Sequence, residues 1–395
     1  MNIWVVNNGG TKRKMKVGIV TISSAHNYGC MLQAWGLQEY VKKLGYEVDI
    51  INLRLDCIDS LYKPLNLYKG LKDAKRFRKL RSDLWLNLKK KGIHANRKYK
   101  KFESFIANQL HTTKRYSSYQ DLINSKVGDN YDILITGSDQ VWNGAITGGL
   151  NRAFFLNFTE KPERKLSFAS SVGKTELKDY EKEFFEQYLK NFDAIAVREE
   201  SAKEMLTPLT DKLIDVVVDP TLLLEVRDFD KLKKAPKFNK GYIFVHVINA
   251  DNQVRPIAEK LSKLTGLPVI HNRPDKRYSN ELGRFDDAGV EEFLGLIENA
   301  EYVVTNSFHA TVFAIIYQRK FFTIPHEKYP ERMVHLLNTL ELTDFLISDA
   351  TELPANPTGL DYHFDKVHKL WDSQRKQSQD ILKRELGIAN ADKQQ

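Results

Sequence analysis

The run YVVTNSFHATVFAIIY, residues 302–317, sets the fold class of this chain. Residues 302–305 are apolar and largely β-branched, which predicts a short buried strand. Residues 308–317 are apolar for longer than an ordinary strand, which predicts a buried helix. Ser307 stands between them as the N-cap, since its hydroxyl can accept a backbone N–H of the first turn. His309 then falls in that turn, beside Phe308. A strand that runs into a helix brings free N–H groups and the positive end of the helix dipole to one point, an anion site in α/β sheets. An imidazole placed there predicts chemistry on a phosphate or a carboxylate. A histidine that only packs or caps is the alternative.

The same alternation extends outward in both directions. Short apolar runs at 17–22, 48–53, 133–136, 166–169, 194–197 and 216–218 predict one series of buried parallel strands. The helix after the first run carries Leu37, Tyr40, Val41 and Leu44 on one face and stops at Gly45. Pro220 and the charged stretch 227–241 break the series and predict a linker. A second series follows at 242–248, 268–270, 302–305 and 321–324, and residues 364–386 predict a polar helical tail. The economical architecture is α/β, with two doubly wound, Rossmann-like domains facing a cleft. The expected boundaries are an N-terminal extension over 1–15, frayed before the first strand, and an N-terminal domain over 16–230 with a basic helical insert at about 60–115. A C-terminal domain over 240–350 and a helical tail over 351–395 complete the chain.

Composition agrees with this plan. A chain of 395 residues with 42% hydrophobic content can bury two ordinary cores. Two cysteines, Cys30 and Cys57, make no disulfide framework and fit a reducing, cytoplasmic setting. No run approaches a membrane span and no signal peptide is evident. The net charge of +9 is uneven: residues 63–115 hold 17 Lys and Arg against Asp73, Asp83 and Glu103, a local +14, so the rest of the chain sums to −5. This block predicts basic amphipathic helices, either solvated or in peripheral contact with an anionic membrane surface or lipid-diphosphate carrier. No zinc or aromatic recognition motif supports nucleic acid as the partner.

Four polar clusters fall at predicted carboxyl ends of strands. Asn27, Tyr28 and Gly29 open the first helix, next to Cys30, a reactive thiol or a small packed residue. Ser138, Asp139, Gln140, Trp142 and Asn143 follow the strand at 133–136 and suit a sugar, with an aromatic face for its apolar side and acceptors for its hydroxyls. The alternative there is a cap and a core tryptophan. Arg198 follows the strand at 194–197 and is shaped to grip a carboxylate or phosphate, or pairs with Glu199 or Glu200. Ser307, Phe308 and His309 form the fourth cluster, with Arg332 downstream as a second cation. His26, His246 and His271 also lie near strand ends, but without metal-ligand spacing, so no metal is expected. Neither a P-loop nor a dinucleotide fingerprint occurs.

NYGCMLQAWGLQ, GSDQVWN, KLSFASSVG, IAVREE, VVDPTLLL and VVTNSFHATVFAI, in this order, resemble the polysaccharide pyruvyl transferase family over roughly residues 16–345. The resemblance implies a GT-B-like fold and transfer of pyruvate from phosphoenolpyruvate to a sugar of a surface polysaccharide or its lipid-linked precursor. The product is a ketal, phosphate is released, and phosphoenolpyruvate is a donor substrate, with no cofactor. By motif, the donor-site histidine corresponds to His309 and the arginine after the middle strand to Arg198. Many members carry Arg-Leu-His where this chain has Ser307-Phe308-His309, so Arg332 is expected to supply the missing cation. The donor set is then Asn27, Tyr28, Gly29, Ser307, Phe308 and Arg332. His309 is the expected acid, Asp139 the expected base, and Ser138, Gln140, Trp142 and Asn143 the acceptor side. A nucleotide-sugar glycosyltransferase of the same fold and a non-catalytic sugar-binding protein are the alternatives.

Overall fold

The structure is a computed structural model that describes residues 4–6, 12–63, 84–238, 241–248, 253–272, 277–325 and 331–388. The chain divides into two compact α/β units. Unit 1 takes 1–61, 106–225 and 371–395, and unit 2 takes 62–105 and 226–370.

In unit 1 the chain opens with a hairpin of β1 (Trp4–Val6) and β2 (Lys12–Lys14), paired antiparallel. The frayed extension expected over 1–15 is therefore corrected for these residues. The Arg13 guanidinium donates two 2.6 Å bonds to the Asp132 carboxylate, which also accepts the Lys16 N–H. The main sheet has six parallel strands in the order β4-β3-β5-β6-β7-β8. They are β3 (Lys16–Val20), β4 (Glu47–Ile50), β5 (Ile133–Thr136), β6 (Arg164–Ser170), β7 (Ala194–Val197) and β8 (Ile214–Val216). Every residue of β5 is buried, which is why its run is continuously apolar. Helix α1 (Tyr28–Lys43) follows β3 and ends against Gly45, whose φ of +98° is left-handed.

Unit 2 carries five parallel strands in the order β11-β10-β9-β12-β13. They are β9 (Ile243–His246), β10 (Val269–His271), β11 (Glu281–Arg284), β12 (Tyr302–Thr305) and β13 (Lys320–Thr323). Strand β11 has no counterpart in the sequence reading, because ELGR lies at the sheet edge and shows no apolar run.

Helix α2 (Leu84–Gln109) carries most of the described part of the basic block, and its residues up to 105 belong to unit 2 rather than to the N-terminal domain. Phe102 and Phe105 anchor it in the core. His94, Arg97 and Lys101 face Asp286, Asp287 and Glu292. This portion of the helix thus directs charge at acidic groups of its own unit, rather than presenting an unbroken cationic face. The run KRFRKLR (75–81) lies outside the described residues. No described helix is long and apolar enough to cross a membrane.

The carboxyl side of unit 2 is completed by α3 (Val290–Glu298), α4 (Phe308–Ile316) and α5 (Glu331–Thr339). Helix α6 (Phe364–Glu385) is the predicted tail, but residues from 371 onward belong to unit 1. There the buried Trp371 donates its indole N–H to the Leu222 carbonyl, and Tyr46 donates to the carbonyl of Leu386.

Strand order reverses beside the first strand of each sheet. In unit 1 the chain leaves β3 for β4 on one side and returns to β5 on the other; in unit 2 it leaves β9 for β10 and returns to β12. The carboxyl ends at such reversals are where open α/β sheets bind ligands.

Candidate active site

In unit 1 the polar residues that follow the strands join into one network. Thr21, after β3, donates to the Ser138 carbonyl at 2.8 Å and accepts from Gln33 at 3.1 Å. The Cys30 thiol donates to Asp139 Oδ2 at 2.6 Å, and the Gln140 N–H donates to Asp139 Oδ1 at 2.8 Å. Asp139 holds a φ of +76°, a strained setting for a residue other than glycine, of the kind that collects at functional sites. Asn143 donates to Gln140 at 2.7 Å. Gly173, at φ +64°, lets this loop close: a Cβ there would meet Gln140 Oε1 at 2.4 Å.

Arg198 is the hub of this edge. Its Nη1 donates to Asp219 Oδ2 at 2.8 Å and to Ser138 Oγ at 3.4 Å, and its Nε donates to Glu199 Oε1 at 3.1 Å. Its side chain is 4% exposed and that of Asp219 0%. Burial alone would lower the guanidinium pKa, but Glu199, Asp219 and Asp139 together raise it above the ordinary value. One cation thus faces three carboxylates. Arg198 was expected to grip a donor anion with its whole fork; Asp219 and Glu199 hold its Nη1 and Nε instead.

The sugar-stacking role expected of Trp142 is also corrected. Its ring is 0% exposed, stacks on Phe155 at 5.5 Å between centroids, and donates its N–H to the Phe154 carbonyl. An apolar ring with a satisfied N–H belongs to the core. Asn27 caps α1 by accepting the Gly29 N–H at 2.9 Å, and Tyr28 is buried, so these expected donor contacts have local structural work. Ser138 and Asn143 are buried and Gln140 is half-buried. Asp219 and Ser171 received no role from the sequence, although VVDPTLLL and KLSFASSVG contain them. Their weight comes from pairing across strands, which no local pattern announces.

In unit 2 the 302–317 run folds as predicted. The Ser307 hydroxyl caps α4 by accepting the Ala310 N–H at 3.3 Å, and its own N–H donates to Thr305 Oγ1 at 3.0 Å. Thr305 donates to the His246 carbonyl at 2.6 Å, while Asn306 both accepts from and donates to the Ile248 backbone. The turn that presents the first residues of α4 is therefore held at several points.

Phe308 and His309 are half-buried in that first turn. The two rings meet edge to face at 5.2 Å, and the Arg332 guanidinium, from α5, lies 5.7 Å from the Phe308 ring centre. The structure brings Ser307, Phe308, His309 and Arg332 together. His246 and His271 turn inward. Burial, reinforced by Lys98, lowers the His246 pKa to about 3, and burial likewise lowers that of His271 against the pull of Glu281. Among the described residues, no group of three or more His, Cys, Asp or Glu has the arrangement of a metal site.

The sequence pattern of polysaccharide pyruvyl transferases matches residues 27–328, from the cap of α1 to beyond β13. The chain belongs to the polysaccharide pyruvyl transferase family. No curated protein sequence is a significant match. Among solved structures, the chain is similar to UDP-GlcNAc 2-epimerase from Neisseria meningitidis bound to UDP-GlcNAc, with 9% identity over 95% of this chain and 100% of that one, at a TM-score of 0.50. UDP-GlcNAc 2-epimerase from Methanocaldococcus jannaschii gives 13% identity over 95% and 100% at 0.47, and the glycosyltransferase SnogD from Streptomyces nogalater 11% over 94% and 100% at 0.40. At such identity the likeness is one of fold, and two parallel-sheet α/β domains hold for this family member.

Proposed function

We propose that the protein transfers pyruvate from phosphoenolpyruvate to a sugar of a polysaccharide or its lipid-linked precursor, closing a ketal across two hydroxyls and releasing phosphate. The observation that carries this reading is His309 in the first turn of α4, at the strand-order reversal of unit 2, with the Arg332 guanidinium against the neighbouring Phe308 ring. The positive end of the α4 dipole and a guanidinium suit a small polyanion. A bound polyanion in turn favours protonated imidazole.

The chemistry asks for a proton on the methylene carbon of the donor, which leaves cationic character on the carbon bearing phosphate. His309 is the acid we assign. An acceptor hydroxyl attacks that carbon, phosphate departs, and the second hydroxyl closes the ring. Unit 1 is assigned the acceptor, because three carboxylates around one arginine repel an anionic donor and suit the hydroxyls of a sugar.

Incubating the protein with phosphoenolpyruvate and a panel of free and lipid-linked glycans tests the reading. The expected result is phosphate release with the mass gain of a pyruvate ketal on one glycan. Tight binding of UDP or GDP in calorimetry, with no response to phosphoenolpyruvate, would replace it with a nucleotide-sugar transferase.

A further inference from the structure

Two carboxylates of the unit 1 network differ in what their oxygens already hold. Asp139 has both engaged, Oδ1 by the Gln140 N–H and Oδ2 by the Cys30 thiol. Glu199 has one engaged: Oε1 accepts from Ser171 at 2.8 Å and from Arg198 Nε at 3.1 Å. Its Oε2 is buried, and no donor among the described residues reaches it. Leaving such an oxygen buried without a donor costs on the order of 1–3 kcal/mol, and folded proteins keep few of them without a functional reason. Ser23 Oγ and Gln33 Oε1, after β3 and within α1, are likewise buried with no partner among the described residues. Two orphaned acceptors and a hydroxyl at the carboxyl edge of one sheet match the hydrogen-bonding needs of a polyol.

We propose that Glu199, rather than Asp139, is the catalytic base that takes the proton of the attacking acceptor hydroxyl through Oε2. This rests on the pyruvyl transfer proposed above. Ser171 and Arg198 fix Oε1, so the second oxygen is aimed without holding a proton donor of its own. The side chain keeps 11% of its surface exposed, on the loop that follows β7. In the step, the hydroxyl O–H breaks, its oxygen bonds the donor carbon bearing phosphate, and the proton moves to Oε2. The acid's proton has gone to the methylene carbon, which becomes the methyl group. When phosphate leaves, the second hydroxyl closes the ring and releases the other proton. Across the turnover two O–H bonds, the C=C π bond of the donor and one C–O bond to phosphate break, while two C–O bonds, one C–H bond and one O–H bond on phosphate form; the second hydroxyl's proton leaves on phosphate, and His309 and Glu199 regain their starting protonation by exchange with water.

Phosphate release from phosphoenolpyruvate, with nitrophenyl glycosides of gluco, galacto and manno configuration as acceptor probes, tests this. Glu199→Gln retains an acceptor for Arg198, so the expected result is an unchanged melting temperature, kcat lowered roughly 10²–10⁴-fold and phosphoenolpyruvate KM within about threefold. The acid limb of the kcat–pH profile disappears in Glu199→Gln and survives in Glu199→Asp, a distinction that a purely structural role does not produce. A Glu199→Gln enzyme that retains the acid limb, or more than about a tenth of wild-type kcat, overturns this assignment alone. Wild-type protein that releases no phosphate with any probe overturns the transferase reading, and this assignment with it.

Discussion

The carboxyl edges of the two sheets share a plan and differ in charge. Each sets a helix N-terminus beside the strand where the order reverses, at α1 in unit 1 and α4 in unit 2. In unit 1 the edge is tied together by side-chain hydrogen bonds, and its carboxylates outnumber its buried arginine. In unit 2 the edge presents an imidazole and a guanidinium against one aromatic ring. The same scaffold position can thus serve opposite partners. Under the function proposed above, the sign of the local charge, rather than the fold, is what would assign the anionic donor to one edge and the hydroxyl-bearing acceptor to the other.

Removing the imidazole should break this contrast most severely. His309 is half-buried at a helix start, so His309→Ala should leave the protein folded. Loss of a positioned acid lowers kcat by about 10²–10⁴. Stopped assays of phosphate release, alongside a melting curve, check both halves. Turnover near wild type would take histidine out of the mechanism and leave the unit 2 edge as a binding surface only.

Arg198→Met probes the opposite edge and should act on stability before it acts on catalysis. It strips the guanidinium from Asp219, which has no exposed surface, and breaking one side of such a buried pair costs about 3–5 kcal/mol. A urea midpoint shift of that size, partly recovered in Arg198→Met with Asp219→Asn, is the expected outcome. Unchanged stability with a raised phosphoenolpyruvate KM would restore Arg198 to the donor clamp and abolish the difference between the edges.

The parts of this design that were legible in the sequence are those written in local pattern. β5, β7 and β12 coincide with their apolar runs, because strands covered on both faces need no polar alternation. Ser307 and His309 were placed by one cap and one turn. The hairpin at Trp4–Val6 and Lys12–Lys14 was missed, since a basic KRK strand resembles a tail until Asp132, far along the chain, pairs with Arg13. Trp142 was misplaced for a related reason. A tryptophan on a loop beside Asp and Asn fits a sugar site, and only the distant Phe155, Phe185 and Phe192 reveal it as core. The Arg198 partners illustrate the same limit, because a guanidinium reads as available until the long-range carboxylate that engages it is found.

Arg332→Ala gives the smallest effect and the sharpest test of how the cationic edge is assembled. This chain has Ser307 where many family members place an arginine, and Arg332 reaches the same turn from α5, its guanidinium against Phe308. A charge-assisted contact to the donor contributes roughly 1.5–3 kcal/mol, so its loss should raise phosphoenolpyruvate KM about tenfold or somewhat more. Because the proton donor stays in place, kcat should change far less. Arg332→Lys keeps the charge but loses the planar face that rests on the ring, and should fall between the two. An unchanged KM in Arg332→Ala would separate Arg332 from the donor and leave the α4 N-terminus and His309 to hold the anion. Ser307→Arg introduced into that background then decides whether the family's usual cation can work from the other side of the same turn: recovery of KM would locate the phosphate or carboxylate of the donor directly above Ser307.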